Sequence, residues 1–433
     1  MDNTREVLVW LSLEGKDLPV GRMWFYSRKG RQSASFEYDR SWLAHPEKFA
    51  LDPALQLSEG IMHTAGDQKI FGAIDDSAPD RWGRMLMRRA ARIERQERTL
   101  LEADYLLGVS DEARLGALRF SGPEEKTSLT PRKKKVSQDR IFLAPGTINS
   151  IPPLIKLPVL LSAAEKFVED RENHTDLRIL LAPGSSLGGA RPKASVRENN
   201  GSLAIAKFPR KDDEYSITKW EAVALTLAKN AGISVPEWRV ETILGKPVLI
   251  VKRFDRNGTI RIPFLSAMSM LGAHDMEQHS YTEIAEVISR YGAQPNADMQ
   301  QLWRRLVFNI LISNTDDHLR NHGFLYTKEG WVLSPVYDIN PVPIDIKARM
   351  LETAIIADNA WASLDTALSV AKYFRMDSKQ AQRITSEVYA STSRWRETAR
   401  LLKINVRAID RMASAFEHED AEKARKIADR GKK

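Results

Sequence analysis

Cysteine is absent from all 433 residues, which excludes a disulfide framework, a thiol nucleophile and any metal site built on thiolates. No uninterrupted apolar run is long enough to span a bilayer, and Met1-Asp2-Asn3-Thr4-Arg5-Glu6 lacks the basic-then-apolar form of a signal peptide. No repeat recurs at a fixed period. These absences predict a cytoplasmic chain with no membrane partner. With 42% hydrophobic and 28% charged residues, the composition is that of a globular protein long enough for two or three domains with cores of their own. The formal charge of +8 would suit an anionic partner, but the excess is scattered through amphipathic helices, so charge alone argues weakly for nucleic acid.

Chemistry concentrates between Ile312 and Leu325, where Asn314, Asp316, Asp317, His318 and Asn321 crowd directly behind an apolar helix. Ahead of them Leu302, Leu306, Phe308, Ile310 and Ile312 fall at helical spacing; behind them Gly323 to Tyr326 and Trp331 to Leu333 read as a hairpin turning at Thr327-Lys328-Glu329-Gly330. The polar residues therefore sit on a loop, and the hairpin returns Asp338 toward it. An Asp followed five positions later by an Asn is the spacing of a kinase catalytic loop, and a metal-holding Asp follows in kinases after a hairpin. Asp316, Asn321 and Asp338 fit that order, although the flanking residues lack the usual kinase signatures. An isolated Asp–Asn pair would more simply cap a turn; the three together favour phosphoryl transfer.

Along the chain, Val7 to Leu11, Val20 to Tyr26 and Ala34 to Tyr38 predict an antiparallel meander, closed by a strand over Gly116 to Phe120. A helix is expected from Asp80 to Ala103, with Trp82, Met85, Leu86, Ala90 and Ile93 on its apolar face. Its five arginines, Arg84, Arg88, Arg89, Arg92 and Arg95, are expected on a solvated face. Prolines and the basic run Arg132 to Lys135 mark a linker, and a helix from Leu160 to Asp170 follows. The small residues from Gly184 to Ala190 leave backbone N–H groups free to approach phosphate. Leu203 to Phe208 is a strand carrying Lys207, and a helix from Lys219 to Ala231 offers Glu221, so loop, lysine and glutamate arrive in kinase order. The bland readings are an exposed strand lysine and a solvated first-turn glutamate. Strands Arg239 to Thr242 and Pro247 to Val251 lead to Lys252-Arg253-Phe254, where a two-lobed kinase hinges and adenine lies. Beyond Ser266 the pattern is helical apart from the hairpin, with segments Tyr281 to Tyr291, Met299 to Ser313, Ser363 to Phe374 and Ser378 to Leu402. The charged tail after Phe416 is expected to fray.

With these residues in view, the chain resembles, over nearly its whole length, the HipA family of toxin–antitoxin serine/threonine kinases. The likeness rests on Ser185 to Lys193, on Lys207, on Arg253-Phe254-Asp255-Arg256, on Asn314 to Asn321 and on Tyr337-Asp338. The asparagine-to-asparagine stretch is the most specific of them. The resemblance implies an α+β, atypical two-lobed protein-kinase-like fold: an N-terminal β-rich domain over 1–122, a linker over 123–158, a kinase N-lobe with Gly-rich loop and hinge over 159–265, and a mostly α-helical C-lobe with the catalytic loop over 266–433. It implies ATP and Mg²⁺ as cofactors, Asp316 as catalytic base, Asn321 and Asp338 as metal ligands, and Lys207 as the phosphate-binding lysine beside Glu221. Gly188, Gly189, Lys252, Phe254 and His318 would complete the nucleotide site, His318 bracing the loop.

Ser186, with Ser185 beside it, occupies the position of the family's autophosphorylated serine, whose modification is expected to switch the enzyme off. The implied partners are a protein substrate, expected to be an aminoacyl-tRNA synthetase, and a HipB-like helix-turn-helix antitoxin through which the chain would reach DNA indirectly. Lys252, Arg320 and Arg191-Pro192 depart from a better-known member, so the expected nucleotide contacts rest on fewer shared residues than the metal ligands. Two other classes compete. A nucleic-acid-binding protein would use the arginine helix and the basic linker and bind with steep salt dependence, but no helix-turn-helix, zinc or RNA-binding signature is present. A catalytically inactive, kinase-shaped binding module would need a missing member of the constellation, and none is missing.

Overall fold

A computed structural model describes residues 3–28, 30–94, 98–123, 142–143, 151–184, 189–275 and 277–431. The chain divides into two compact units, Met1–Ser202 with Asp255–Phe264, and Leu203–Phe254 with Leu265–Lys433.

The first unit is built on a five-stranded antiparallel sheet. Asn3–Leu13 (β1), Lys16–Arg28 (β2) and Arg31–Tyr38 (β3) form the expected meander, with Ile61–His63 (β4) on one edge and Leu118–Ser121 (β5) on the other. Alternate residues Val7, Val9 and Leu11 are buried with Met23, Phe25 and Phe36, the period-2 burial of a sheet with one face on a core. Gly21 faces β3 so closely that a Cβ there would fall 2.3 Å from the Glu37 carbonyl oxygen, which leaves no room for a larger residue.

The helix expected over 80–103 is shorter. It spans Arg81–Ile93, capped by Asp80, and a separate helix, Glu102–Gly108, follows. The second helix starts afresh because the Asp104 carboxylate accepts from the Leu101 N–H at 2.8 Å, an N-terminal cap that fixes a new first turn. Trp82 and Leu86 are buried, but Met85 and Ile93 are exposed. Nor is the arginine face simply solvated: Arg84 pairs with Glu102 at 2.7 Å and Arg89 with Glu172 at 2.6 Å. Helices Leu157–Val168 and His174–Gly184 and the strand Lys193–Arg197 (β6) complete the described part of this unit.

In the second unit Leu203–Lys207 (β7) pairs antiparallel with Lys246–Lys252 (β9), which pairs with Trp238–Ile243 (β8). The helix Ile217–Asn230 buries Trp220, Glu221, Val223 and Leu227. Tyr281–Tyr291 starts at a capping box of Ser280 and Glu283. Pro295–Leu311 is buried along most of its length and ends at Ser313, whose φ of 52° is left-handed; the Asn314 N–H turns back to the Asn309 carbonyl at 2.9 Å, a Schellman ending. The expected hairpin is present as Gly323–Thr327 and Gly330–Leu333.

Three C-terminal expectations change. The segment Ser363 to Phe374 is a helix, Leu364–Ser369, followed by a 3₁₀ turn, Ala371–Phe374. Ser378 to Leu402 divides into Ser378–Thr392 and Trp395–Leu401, where buried Trp395 stacks on Phe416 with ring centroids 4.6 Å apart. The tail does not fray: Glu419–Arg430 is a helix that buries Asp420 and Ala424. No described helix is long and apolar enough to cross a membrane.

Candidate active site

Lys207 ends β7, and Glu221 lies one turn inside the helix that follows. The Lys207 ammonium donates to Glu221 Oε1 at 2.6 Å and to Asp338 Oδ1 at 3.0 Å. Neither bland reading of these residues holds, because Glu221 is buried and Lys207 is largely so. Burial alone would lower the lysine's pKa, but the Asp338 and Glu221 carboxylates outweigh it and raise the group, so it stays a cation. Asp338 adopts a φ of 58°, a left-handed conformation that Asp tolerates better than most residues.

The loop between the long helix and the hairpin presents Asp316 outward. Its side chain is exposed, and among the described residues none donates to its carboxylate. The surrounding protein desolvates the group and raises its pKa; His318 and Lys347 oppose the rise, while Asp338 and Glu352 add to it. The Asn321 side-chain amide donates to the Asp316 carbonyl at 3.0 Å, which ties the two ends of the loop and leaves the amide oxygen as the acceptor end. The His318 N–H also reaches the Asp316 carbonyl, and the Asn321 N–H reaches His318, at 3.1 and 2.8 Å. His318 is half-exposed and immediately precedes a 3₁₀ turn, Leu319–Asn321.

Beneath the loop lies a network that sequence reasoning did not find. Asp317, buried, faces His322 Nε2 at 3.0 Å and accepts from the Tyr281 hydroxyl. Asn309 donates to the same hydroxyl at 2.9 Å, and Asn314 to Asn309 at 3.1 Å. Burial would raise the Asp317 carboxyl, but His322 and these hydrogen bonds hold it below the ordinary value. Burial drives the Tyr281 phenol upward, reinforced by Asp317. The one signal in the sequence was spacing: Asp317 and His322 repeat, one residue on, the interval from Asp316 to Asn321.

A second brace is longer in range. Arg349 donates to the Ile310 carbonyl at 3.0 Å, to the Ser313 hydroxyl at 3.2 Å and to Asp420 at 2.8 Å, and Ser313 donates to the Ala415 carbonyl at 2.9 Å. The C-terminal helix is thereby wired to the start of the loop.

The remaining candidates are distributed. The rings of Phe254 and Tyr337 lie 5.5 Å apart, with the Tyr337 hydroxyl donating to the Arg320 carbonyl at 2.6 Å. Lys252 pairs with Glu237 at 2.8 Å. Gly189, in the first unit, has a φ of 88° and accepts from the Trp82 N–H at 3.3 Å. Ser185, Ser186 and Gly188 lie outside the described residues, as do Arg95 and the basic run 132–135. The structure thus sets Lys207 against both Glu221 and Asp338 and ties Asn321 to Asp316. Among the described residues no group of three or more His, Asp or Glu could hold a metal by itself.

Two family models match the chain: the HipA N-terminal domain over residues 11–121 and the HipA-like C-terminal domain over residues 185–395. Among curated relatives, a putative kinase, Y4mE, of Sinorhizobium fredii (strain NBRC 101917 / NGR234) is 27% identical over 180 residues, 36% of this chain and 41% of that protein. Toxin YjjJ of Escherichia coli (strain K12) is 25% identical over 211 residues, 44% of this chain and 47% of that protein. The chain therefore spans less than half the length of either. A chain from the Shewanella oneidensis MR-1 toxin–antitoxin complex of HipA, HipB and operator DNA superposes with a TM-score of 0.65 at 16% identity, covering 98% of this chain and 97% of that one. That likeness shows the fold, which is α+β as expected.

Proposed function

The chain belongs to the HipA family, and from that premise we propose that it is an ATP- and Mg²⁺-dependent kinase that phosphorylates a protein serine or threonine and acts as the toxin of a toxin–antitoxin pair. The observation that carries this reading is the double ion pair of Lys207 with Glu221 and Asp338. Enzymatic phosphoryl transfer depends chiefly on positioning and on charges set in advance around the phosphates. Glu221 holds a charged Lys207 in one place, ready to trade its contact with Asp338 for phosphate oxygens. Asp316, exposed and with no donor on its carboxylate among the described residues, would orient the acceptor hydroxyl and take its proton; its raised pKa makes it a stronger base than an ordinary aspartate.

The Asn321 amide oxygen and the Asp338 carboxylate are hard oxygen donors. Two such ligands suit Mg²⁺, which keeps several waters and leans on substrate phosphates. When bound, the ion would neutralise charge on those phosphates.

The finer parts of the proposal lean on relatives. One similar protein is named a toxin, and the similar fold was solved with HipB and operator DNA. A HipB-like helix-turn-helix antitoxin, a synthetase substrate and inactivating autophosphorylation of Ser186 complete the reading. The test is incubation with Mg²⁺ and radiolabelled ATP, followed by intact-mass analysis and phosphopeptide mapping. Label on protein serine or threonine that disappears in Asp316→Asn supports the reading. Equal labelling by wild type and variant overturns the assignment of Asp316, and no transfer to any protein overturns the kinase reading. Phosphate on Ser186 only when Asp316 is present supports the switch, and an unmodified Ser186 in an active enzyme rules it out.

A further inference from the structure

Beyond Asp338, two of the second unit's solvent-facing apolar side chains stand opposite each other. Met350 is 51% exposed and Trp361 is 53% exposed, and the two residues pair across an isolated antiparallel bridge. The Leu351 N–H donates to the Ala360 carbonyl at 2.8 Å and the Ala362 N–H to the Arg349 carbonyl at 2.9 Å. Met350 and Trp361 therefore form a narrow, non-hydrogen-bonded pair, in which side chains stand closest and on one face. Their neighbours alternate inward: Arg349, Leu351, Ala360 and Ala362 are all buried. The exposed pair is thus held out by one antiparallel bridge with buried neighbours on both sides.

The same segment is fastened to the candidate base. The Glu352 N–H donates to the Thr315 carbonyl at 3.3 Å and the Thr353 N–H to the Asp317 carbonyl at 3.1 Å, one on each side of Asp316. Met350 lies two residues from Glu352, a chain distance of at most about 7 Å.

Resting on the kinase reading, we infer that the Met350–Trp361 pair is the docking surface for the acceptor segment of the protein substrate and receives an apolar side chain near the acceptor hydroxyl. Tryptophan and methionine are suited to this, since one offers a large rigid face and the other adapts to varied side chains. The occupant is an extended segment with a Leu, Ile or Phe close to its Ser or Thr.

The full-length protein, Mg²⁺-ATP and a positional-scanning library of serine peptides test this. Wild type should prefer leucine over asparagine near the serine by about tenfold in kcat/KM. Met350→Ser with Trp361→Ser should reduce that ratio to about one, whereas Trp361→Phe should keep most of it. A ratio unchanged in the double variant overturns the proposal. Fluorine NMR of protein labelled with 5-fluorotryptophan, its Trp361 signal assigned through Trp361→Phe, gives a readout independent of turnover. The signal should move with a leucine-containing serine peptide and stay with its aspartate counterpart; no movement overturns the docking surface. If wild type phosphorylates no peptide and no protein while the Trp361 signal still moves, the kinase reading falls and the surface stands.

Discussion

The Lys207 ammonium lies 3.0 Å from the Asp338 carboxylate, an ion pair that joins positions 131 residues apart. One oxygen of the candidate metal ligand is thus engaged by a lysine, and Mg²⁺ would compete with that ammonium for it. Bound ATP would resolve the competition, because its phosphates would give the lysine another partner. Calorimetric titration should show weak Mg²⁺ binding alone and ATP affinity that drops sharply in EDTA. Equal ATP affinity with and without metal would contradict these roles.

Lys207→Met should act on stability as well as on binding. It withdraws the cation from buried Glu221, a loss of about 3 kcal/mol for a buried pair, and it should weaken ATP by about tenfold or more. Urea unfolding and nucleotide titration measure the two effects separately. Unchanged stability would mean that Glu221 does not depend on the lysine.

Asp316→Asn should leave stability within about 0.5 kcal/mol of wild type, as expected for an exposed side chain, while phosphoryl transfer is lost. The base works only as a carboxylate, and its pKa is raised. The rate should therefore fall on acidification at a higher pH than an ordinary aspartate, near 3.9, would give. A pH–rate profile flat through mild acid would argue against Asp316 as the base.

Asp317 has the opposite sign. Its folded pKa is depressed, so its contribution to stability is complete above its unfolded value, about 3.9, and is lost as pH falls through the lower folded one. Asp317→Asn should cost about 2–4 kcal/mol at neutral pH and progressively less in strong acid. Denaturant melts across that range check it; a penalty that does not shrink in acid would show that charge is not the cause.

Arg349→Ala should destabilise by about 3–5 kcal/mol, since it leaves buried Asp420 without its cation. It should also lower kcat more than it raises KM for ATP, because Arg349 braces the loop and touches none of the candidate nucleotide ligands. An effect confined to KM would place Arg349 elsewhere in the mechanism.

Much of this was legible in the sequence where the signal was local. Period-2 apolar runs gave β1 to β3, and the capping box at Ser280 lies where Tyr281 to Tyr291 was expected to begin. Spacing pointed to a constellation of Asp316, Asn321 and Asp338 and to Lys207 with Glu221 as its partner, and Lys207 pairs with both Glu221 and Asp338. What was hidden depended on partners distant in the chain. Asp420 looked like one charge in a solvated tail, since nothing near it announces Arg349, 71 residues earlier. Asp317 and His322 were overshadowed by their neighbours, because a carboxylate that points inward reads the same as one that points outward. The helix expected across 80–103 failed for a local reason: a cap at Asp104 competes with continuing the periodic pattern.

The Arg349–Asp420 clamp also orders events in time. Ser313 and its loop leave the ribosome about a hundred residues before Ala415, whose carbonyl it needs, as their separation of 102 positions shows. A nascent chain therefore carries every candidate chemical group long before it carries the segment that steadies them. Folding during synthesis proceeds from the N-terminus, so the loop is complete in composition yet lacks its Arg349–Asp420 brace until Glu419–Arg430 has emerged. For the kinase proposed above, such an order would leave partly made chains without this brace.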